Sequence, residues 1–161
     1  MSIKVGDKMP KGTFTRMGAK GPEPVSTDEL FGGKKVVLFS VPGAFTPTCS
    51  AKHLPGFVQN ADKIKALGVD TIACMAVNDV FVMNAWGESG KATGKVQMLA
   101  DGNGEYARAL GLELDATKFG MGQRGKRFSV IVDDGVVTSI NVEPPGEFGV
   151  SSAETALKQL G

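Results

Sequence analysis

The chain has 161 residues, 42% hydrophobic and 22% charged, a balance that fits one globular domain over residues 1–161 and excludes a disordered or fibrous protein. Eighteen Lys and Arg against seventeen Asp and Glu leave a net charge of +1, which gives no electrostatic case for nucleic acid or an anionic membrane. The longest unbroken apolar run, residues 72–77, is too short to span a bilayer, and the first residues lack the apolar core of a signal peptide. A cytoplasmic protein is therefore expected.

Glycines and prolines punctuate short elements along the chain. Residues 35–40 form a β-branched run that stops at Pro42-Gly43, which predicts a buried strand. Phe57, Ala61, Ile64 and Leu67 have helical spacing, with Gly68 closing a helix over 57–67. A second strand is predicted over 69–77, a helix capped by Asp79 runs through Trp86, and a third strand covers 96–100. After the turn at 101–104 comes a short helix over 105–110. Residues 127–132 and 136–142 flank Asp133-Asp134-Gly135, a hairpin signature. Ser151 with Glu154 predicts a capping box for a terminal helix reaching Leu160. This order predicts an α/β sandwich built on a mixed sheet, and it suits a thioredoxin-like fold with flanking helices.

Two cysteines and one histidine cannot by themselves make a closed zinc site, and two cysteines are too few for a secreted disulfide framework. Each thiol has to be weighed singly. Cys49 follows a loop shaped by Pro42, Gly43 and Pro47 at the C-terminal end of the first buried strand, where α/β folds put their sites. It falls at or near the first turn of the next helix, where free N–H groups and the helix dipole favour a thiolate. Thr46, three residues earlier, can turn its hydroxyl toward the same sulfur. By position alone, a buried packing cysteine and a reactive one are about equally supported.

Pro42, Thr46 and Cys49 match the P-x-x-x-T-x-x-C motif of peroxiredoxins, and VPGAFTPTCSAKHLPGF resembles their atypical type II, or fifth-type, branch. GKKVVLFSVPGAFTPTC, VNDVFVMNAWG, LADGNGEY, KRFSVIVDDG and NVEPPGEF resemble that branch in the same order, over nearly the whole chain. The resemblance implies a thiol peroxidase acting on hydrogen peroxide and small organic hydroperoxides, without metal or organic cofactor. It implies that Cys49 is the peroxidatic cysteine, that Thr46 orients the peroxide, and that Pro42 walls the pocket. Arg127 matches the family's arginine and would stabilise the thiolate and the departing oxygen. Arg124, in a glycine-rich stretch, reads instead as a solvated loop charge.

Cys74, inside the second strand, reads as a core residue about twice as readily as a resolving thiol, though plant-like members of the branch carry a cysteine at this spacing. Animal-like members resolve with a cysteine near the C-terminus, where this chain has Ser151-Ser152. That departure suggests an external reductant, glutathione with glutaredoxin or thioredoxin. Resemblance also implies a homodimer, with Phe45 and the loop around Phe119 as contacts. A thiol sensor or relay, and a cysteine hydrolase pairing Cys49 with His53, are the other readings. The G-x-G-x-x-G match at 120–125 precedes a strand rather than a helix and reads as a glycine-rich loop only.

Overall fold

The computed structural model describes residues 2–161, apart from the side chain of Cys49. Two strands the sequence left unassigned open the chain, β1 (Thr13–Gly18) and β2 (Gly21–Ser26), followed by the short helix α1 (Thr27–Phe31). Then come β3 (Lys35–Ser40), a π-helical turn at Cys49–His53 that runs into α2 (Leu54–Ala66), β4 (Thr71–Ala76), α3 (Val80–Ser89) and β5 (Gln97–Ala100). Helix α4 (Glu105–Leu110) leads to β6 (Glu113–Ala116), a 3-10 turn at Thr117–Phe119 and β7 (Gly122–Gly125). The chain finishes with β8 (Phe128–Asp133), β9 (Val136–Val142) and α5 (Ala153–Leu160).

Seven strands make one sheet in the order β2-β1-β5-β4-β3-β8-β9, and β6 with β7 make a separate hairpin. The centre is parallel, β3 with β4 and β4 with β5, and the flanks are antiparallel. Side chains alternate between the two faces of a strand, so a strand covered on both faces reads as an unbroken apolar run. In β3, Val37 and Phe39 join Ile72, Cys74, Phe57, Ile64, Met83, Trp86 and Ala156 in one core. Val36 and Leu38 turn the other way, onto Ala73, Met75, Leu99, Phe14, Tyr106 and Leu110. Helices α2, α3 and α5 therefore cover one face, and α1 and α4 the other. The mixed-sheet sandwich expected from the element order is what forms.

Two local expectations change. The helix predicted from residue 57 starts earlier, because the π-helical turn and Leu54-Pro55 continue its path. The cap of α5 is Ser152, whose hydroxyl accepts from the Thr155 N–H; Ser151 turns inward instead.

This topology sets one end of the sheet as the place where distant residues meet. The parallel strands β3 and β4 deliver residues 41–48 and 77–79 to the same edge. Antiparallel β8 begins there too, with Phe128 opposite Ser40. Residues 126 and 127 consequently lie beside the loop that leaves β3, and Ser40 Oγ fixes this by donating to the Lys126 carbonyl at 2.8 Å.

Candidate active site

The loop after β3 is tightly bound at several points. The Ala44 N–H donates to Asn78 Oδ1 at 2.9 Å, tying the loop to the end of β4. Phe45 lies in the left-handed region at φ +64°, a conformation that costs a non-glycine residue about 1 kcal/mol. That reversal brings Thr46 back toward Gly43, and the Thr46 hydroxyl donates to the Gly43 carbonyl at 2.7 Å. A β-carbon on Gly43 would sit 3.2 Å from both the Thr46 methyl and Met121 Cε, so the residue is small because the loop closes on it.

Helical backbone starts at Pro47, and the Ser50 N–H bonds the Thr46 carbonyl at 2.9 Å. Proline suits a first helical position because its missing N–H would have no partner there. The backbone of Cys49 belongs to this first turn and opens the π-helical segment; its sulfur lies outside what the structure describes. First-turn N–H groups lack intrahelical acceptors and carry the positive end of the dipole, which favours an anionic sulfur. Ser50 is held in turn by the Trp86 indole, whose N–H donates to Ser50 Oγ at 3.0 Å.

A cleft of about 140 Å³ lies at this edge of the sheet. Pro42, Thr48 and Arg127 line it together with Leu114, Lys126, Glu143 and residues 144–147. Two of the residues singled out by sequence, Pro42 and Arg127, thus face one cavity, with Thr48, the neighbour of Cys49, beside them. Arg127 Nη1 lies 2.8 Å from His53 Nδ1, although 74 residues separate them in sequence. The guanidinium also lies over the Phe148 ring, 5.9 Å from its centroid.

His53 is buried among Phe39, Phe57 and Phe148. Its Nε2 lies 3.0 Å from the Ser151 carbonyl oxygen. A carbonyl can only accept and a guanidinium can only donate. The ring is therefore the neutral tautomer with its proton on Nε2 and a lone pair on Nδ1 turned to Arg127. Burial, and then the charge of Arg127, push its pKa down to about 3.

Arg124 departs from the expectation of a solvated loop charge. It sits on β7, with Nε donating to the Met121 carbonyl at 2.9 Å and Nη1 to the Val77 carbonyl at 2.8 Å. The glycine-rich stretch is half of a hairpin, and its arginine fastens that hairpin to the end of β4. Cys74 lies fully buried on β4, beside Phe39 of β3 on the same face of the sheet. Phe45 and Phe119 are both solvent-facing, at 54% and 71% exposure. Asn78 and Glu143 lie in segments that resemble the family, and Ser151 is expected from sequence as a helix cap; the contacts that the structure gives them are with backbone groups and are not legible in the sequence.

The Redoxin family model matches residues 4–157. Peroxiredoxin-2B of Arabidopsis thaliana is 51% identical over 159 residues, covering 98% of each chain. A chloroplastic peroxiredoxin-2E-2 from rice, Oryza sativa subsp. japonica, is 51% identical over 164 residues, 99% of this chain and 73% of the relative. The crystal structure of reduced Prx3 from Vibrio vulnificus in complex with hydrogen peroxide superposes with a TM-score of 0.95 at 52% identity, covering 99% of both chains. The thioredoxin-like architecture expected from the element order is shared with these structures.

Proposed function

The chain belongs to the peroxiredoxin family, in its type II, fifth-type-like branch, and is a thiol-dependent peroxidase; from that premise we propose that Cys49 is the peroxidatic cysteine and that Thr46, Arg127 and Pro42 complete its site. The observation that carries this reading is the docking of Arg127 at the cleft that Pro42 and Thr48 line. The Cys49 thiolate attacks the terminal oxygen of a hydroperoxide, the S–O bond forms as the O–O bond breaks, hydroxide or alkoxide departs, and Cys49 is left as a sulfenic acid. The departing oxygen takes a proton from solvent and leaves as water or an alcohol.

Each neighbour has a physical task. The Thr46 hydroxyl donates its hydrogen bond to the Gly43 carbonyl, so its oxygen lone pairs serve as acceptors for the peroxide O–H. Arg127 supplies a fixed positive charge with N–H groups in a rigid plane, suited to a thiolate and to the charge growing on the leaving oxygen. Pro42 contributes no donor of its own and keeps water from the reacting sulfur. A hydrolase pairing Cys49 with His53 would need an imidazole lone pair for the thiol proton. Nδ1 is directed to Arg127 and Nε2 to Ser151, which favours the peroxidase reading.

Hydrogen peroxide and small organic hydroperoxides are the substrates, and Leu114, Pro144 and Pro145 offer an alkyl group an apolar wall. The vibrio relative was crystallised with hydrogen peroxide, which fits the smaller of these. Recycling uses an outside thiol: glutathione with glutaredoxin, or thioredoxin. The support is twofold, since Cys74 is sealed in the core and the C-terminal loop carries serines. A first thiol condenses with the sulfenic acid, releasing water, and a second reduces the mixed disulfide. The chain works in the cytoplasm, as one domain over residues 1–161, and as a homodimer contacting through Phe45 and the Phe119 turn. No helix is long and apolar enough to cross a membrane among the described residues.

Replacing Arg127 tests the assignment. Arg127→Ala should lower kcat/KM for hydrogen peroxide by about a hundredfold to a thousandfold, while Arg124→Ala costs stability first. Equal activity of the Arg127 variant and the wild type would remove Arg127 from the reaction.

A further inference from the structure

Arg127 is held by more than the histidine it touches. Glu143 follows β9, and only 6% of it is exposed. Its Oε2 accepts three hydrogen bonds, from the Gly149 N–H at 2.7 Å, the Ser151 N–H at 2.8 Å and the Ser151 hydroxyl at 2.7 Å. Ser151 is itself fully buried, and its carbonyl receives the Nε2–H of His53. His53 Nδ1 then receives Arg127. The circuit closes through the backbone, because the Glu143 N–H donates to the Arg127 carbonyl at 2.9 Å. Phe148, inside the loop that Glu143 gathers, packs on both the His53 ring and the Arg127 guanidinium.

A buried carboxylate is a costly way to close a surface loop, since removing it from water costs several kcal/mol before its hydrogen bonds offset it. An apolar residue packed on Phe148 would hold a loop as well. What a carboxylate adds is direction. It accepts only, so it turns the Ser151 N–H and hydroxyl toward itself. The Ser151 carbonyl remains for His53 and imposes the Nε2–H tautomer, and that tautomer presents a lone pair to a group that only donates. A ring protonated on Nδ1 would set two donors against each other at Arg127, so the chain works only while the Ser151 carbonyl is held at Nε2. An arginine side chain carries about 2 kcal/mol of rotamer entropy, so a guanidinium required in one orientation benefits from such a constraint.

We propose that Glu143 is a positioning residue for peroxide reduction, acting through Ser151 and His53 to hold the Arg127 guanidinium in its working orientation. The proposal rests on the assignment of Cys49 and Arg127 to the reaction. It makes loop 144–151, distant in sequence from the cysteine, part of the device that sets the rate.

Single-turnover oxidation of Cys49 by hydrogen peroxide, compared with its alkylation by iodoacetamide, tests this. Both rates are taken on the high-pH plateau where Cys49 is wholly thiolate. Alkylation needs the sulfur alone, whereas peroxide also needs the arginine. Glu143→Gln, folded by urea titration, should lose about tenfold to a hundredfold in the peroxide rate with alkylation unchanged. His53→Phe keeps the ring packing and removes both hydrogen bonds, and it should show the same split. The double variant should lose no more than the larger single loss, because both act through one chain of contacts. Ser151→Ala, which retains the backbone carbonyl, is the milder variant and should show a smaller loss of the same kind. A wild-type peroxide rate in Glu143→Gln, losses that multiply in the double variant, or equal losses in alkylation would each overturn the proposal. Slow peroxide oxidation of the wild type would instead strike at the assignment of Cys49, which keeps the two failures distinct.

Discussion

Thr46 and His53 show how single atoms acquire their roles from what they are bonded to. Thr46 donates its one hydroxyl hydrogen bond to the Gly43 carbonyl, so its oxygen is left as an acceptor. Thr46→Val keeps the shape and removes that oxygen, and should cost about a hundredfold or more in kcat/KM, whereas Thr46→Ser should recover most of it; stopped-flow peroxide reduction compares the two. His53 carries a different signature. Its folded pKa near 3 lies below the ordinary value of 6.5, so between those pH values the unfolded chain binds a proton that the native protein does not. Unfolding free energy from this residue therefore rises with pH across that window, is fully present above it, and is lost as pH falls toward 3. Urea titrations from pH 4 to pH 7 should show a shallower rise in His53→Phe than in the wild type; parallel curves would contradict the buried neutral ring. The P-x-x-x-T-x-x-C residues were readable because they are close in sequence. Arg127 needed the family resemblance, since nothing in local spacing pairs it with a residue 74 positions earlier. From sequence Glu143 draws no role and Ser151 reads as a helix cap, because their partners are mainly backbone groups that every residue possesses.

The elements that carry the site were largely visible in the sequence, for a simple reason. Strands β3, β4, β8 and β9 and helices α3 and α4 declare themselves by apolar runs, caps and turn residues. The Asp79 cap indeed accepts from the Val82 N–H, and Asp134-Gly135 makes the β8–β9 turn with both residues at positive φ. Strand β2 was hidden by its own composition, GPEPVS. Proline cannot donate to a ladder, and β2 tolerates two of them because it is an edge strand. Strand β7, GQRG, was equally disguised, since its strand character comes from pairing with β6. The π-helical turn at Cys49 is held from α3 by Trp86, the sole tryptophan of the chain. Ser50→Ala should cost about 1 kcal/mol by removing that bond. If the turn opens when Cys49 is oxidised, Trp86 fluorescence should shift with oxidation, and in Ser50→Ala the reduced protein should already show part of the shift. An emission spectrum indifferent to both changes would mean that the turn stays closed.

At the scale of the molecule, the sheet brings three segments far apart in sequence to one edge: the loop after β3, the start of β8 and the C-terminal loop. Cys74 lies on the central strand β4 of the same sheet and is fully buried in its core. Phe45 and Phe119 expose apolar side chains, as do Phe81 and Val5 elsewhere in the chain. Phe119→Asp should shift the protein from dimer toward monomer in sedimentation equilibrium, and a wild type that sediments as a monomer would remove the dimer from the account.

The most direct measurement is the intact mass of the reduced protein after about one equivalent of hydrogen peroxide, with and without glutathione, in the wild type and in Cys74→Ser. The account predicts one added oxygen on Cys49, or a glutathione adduct when glutathione is present, in both proteins alike. Loss of two hydrogens in the wild type alone would make Cys74 the resolving thiol and require β4 to open. Failure of Cys49 to change under either condition would contradict its role as the peroxidatic cysteine.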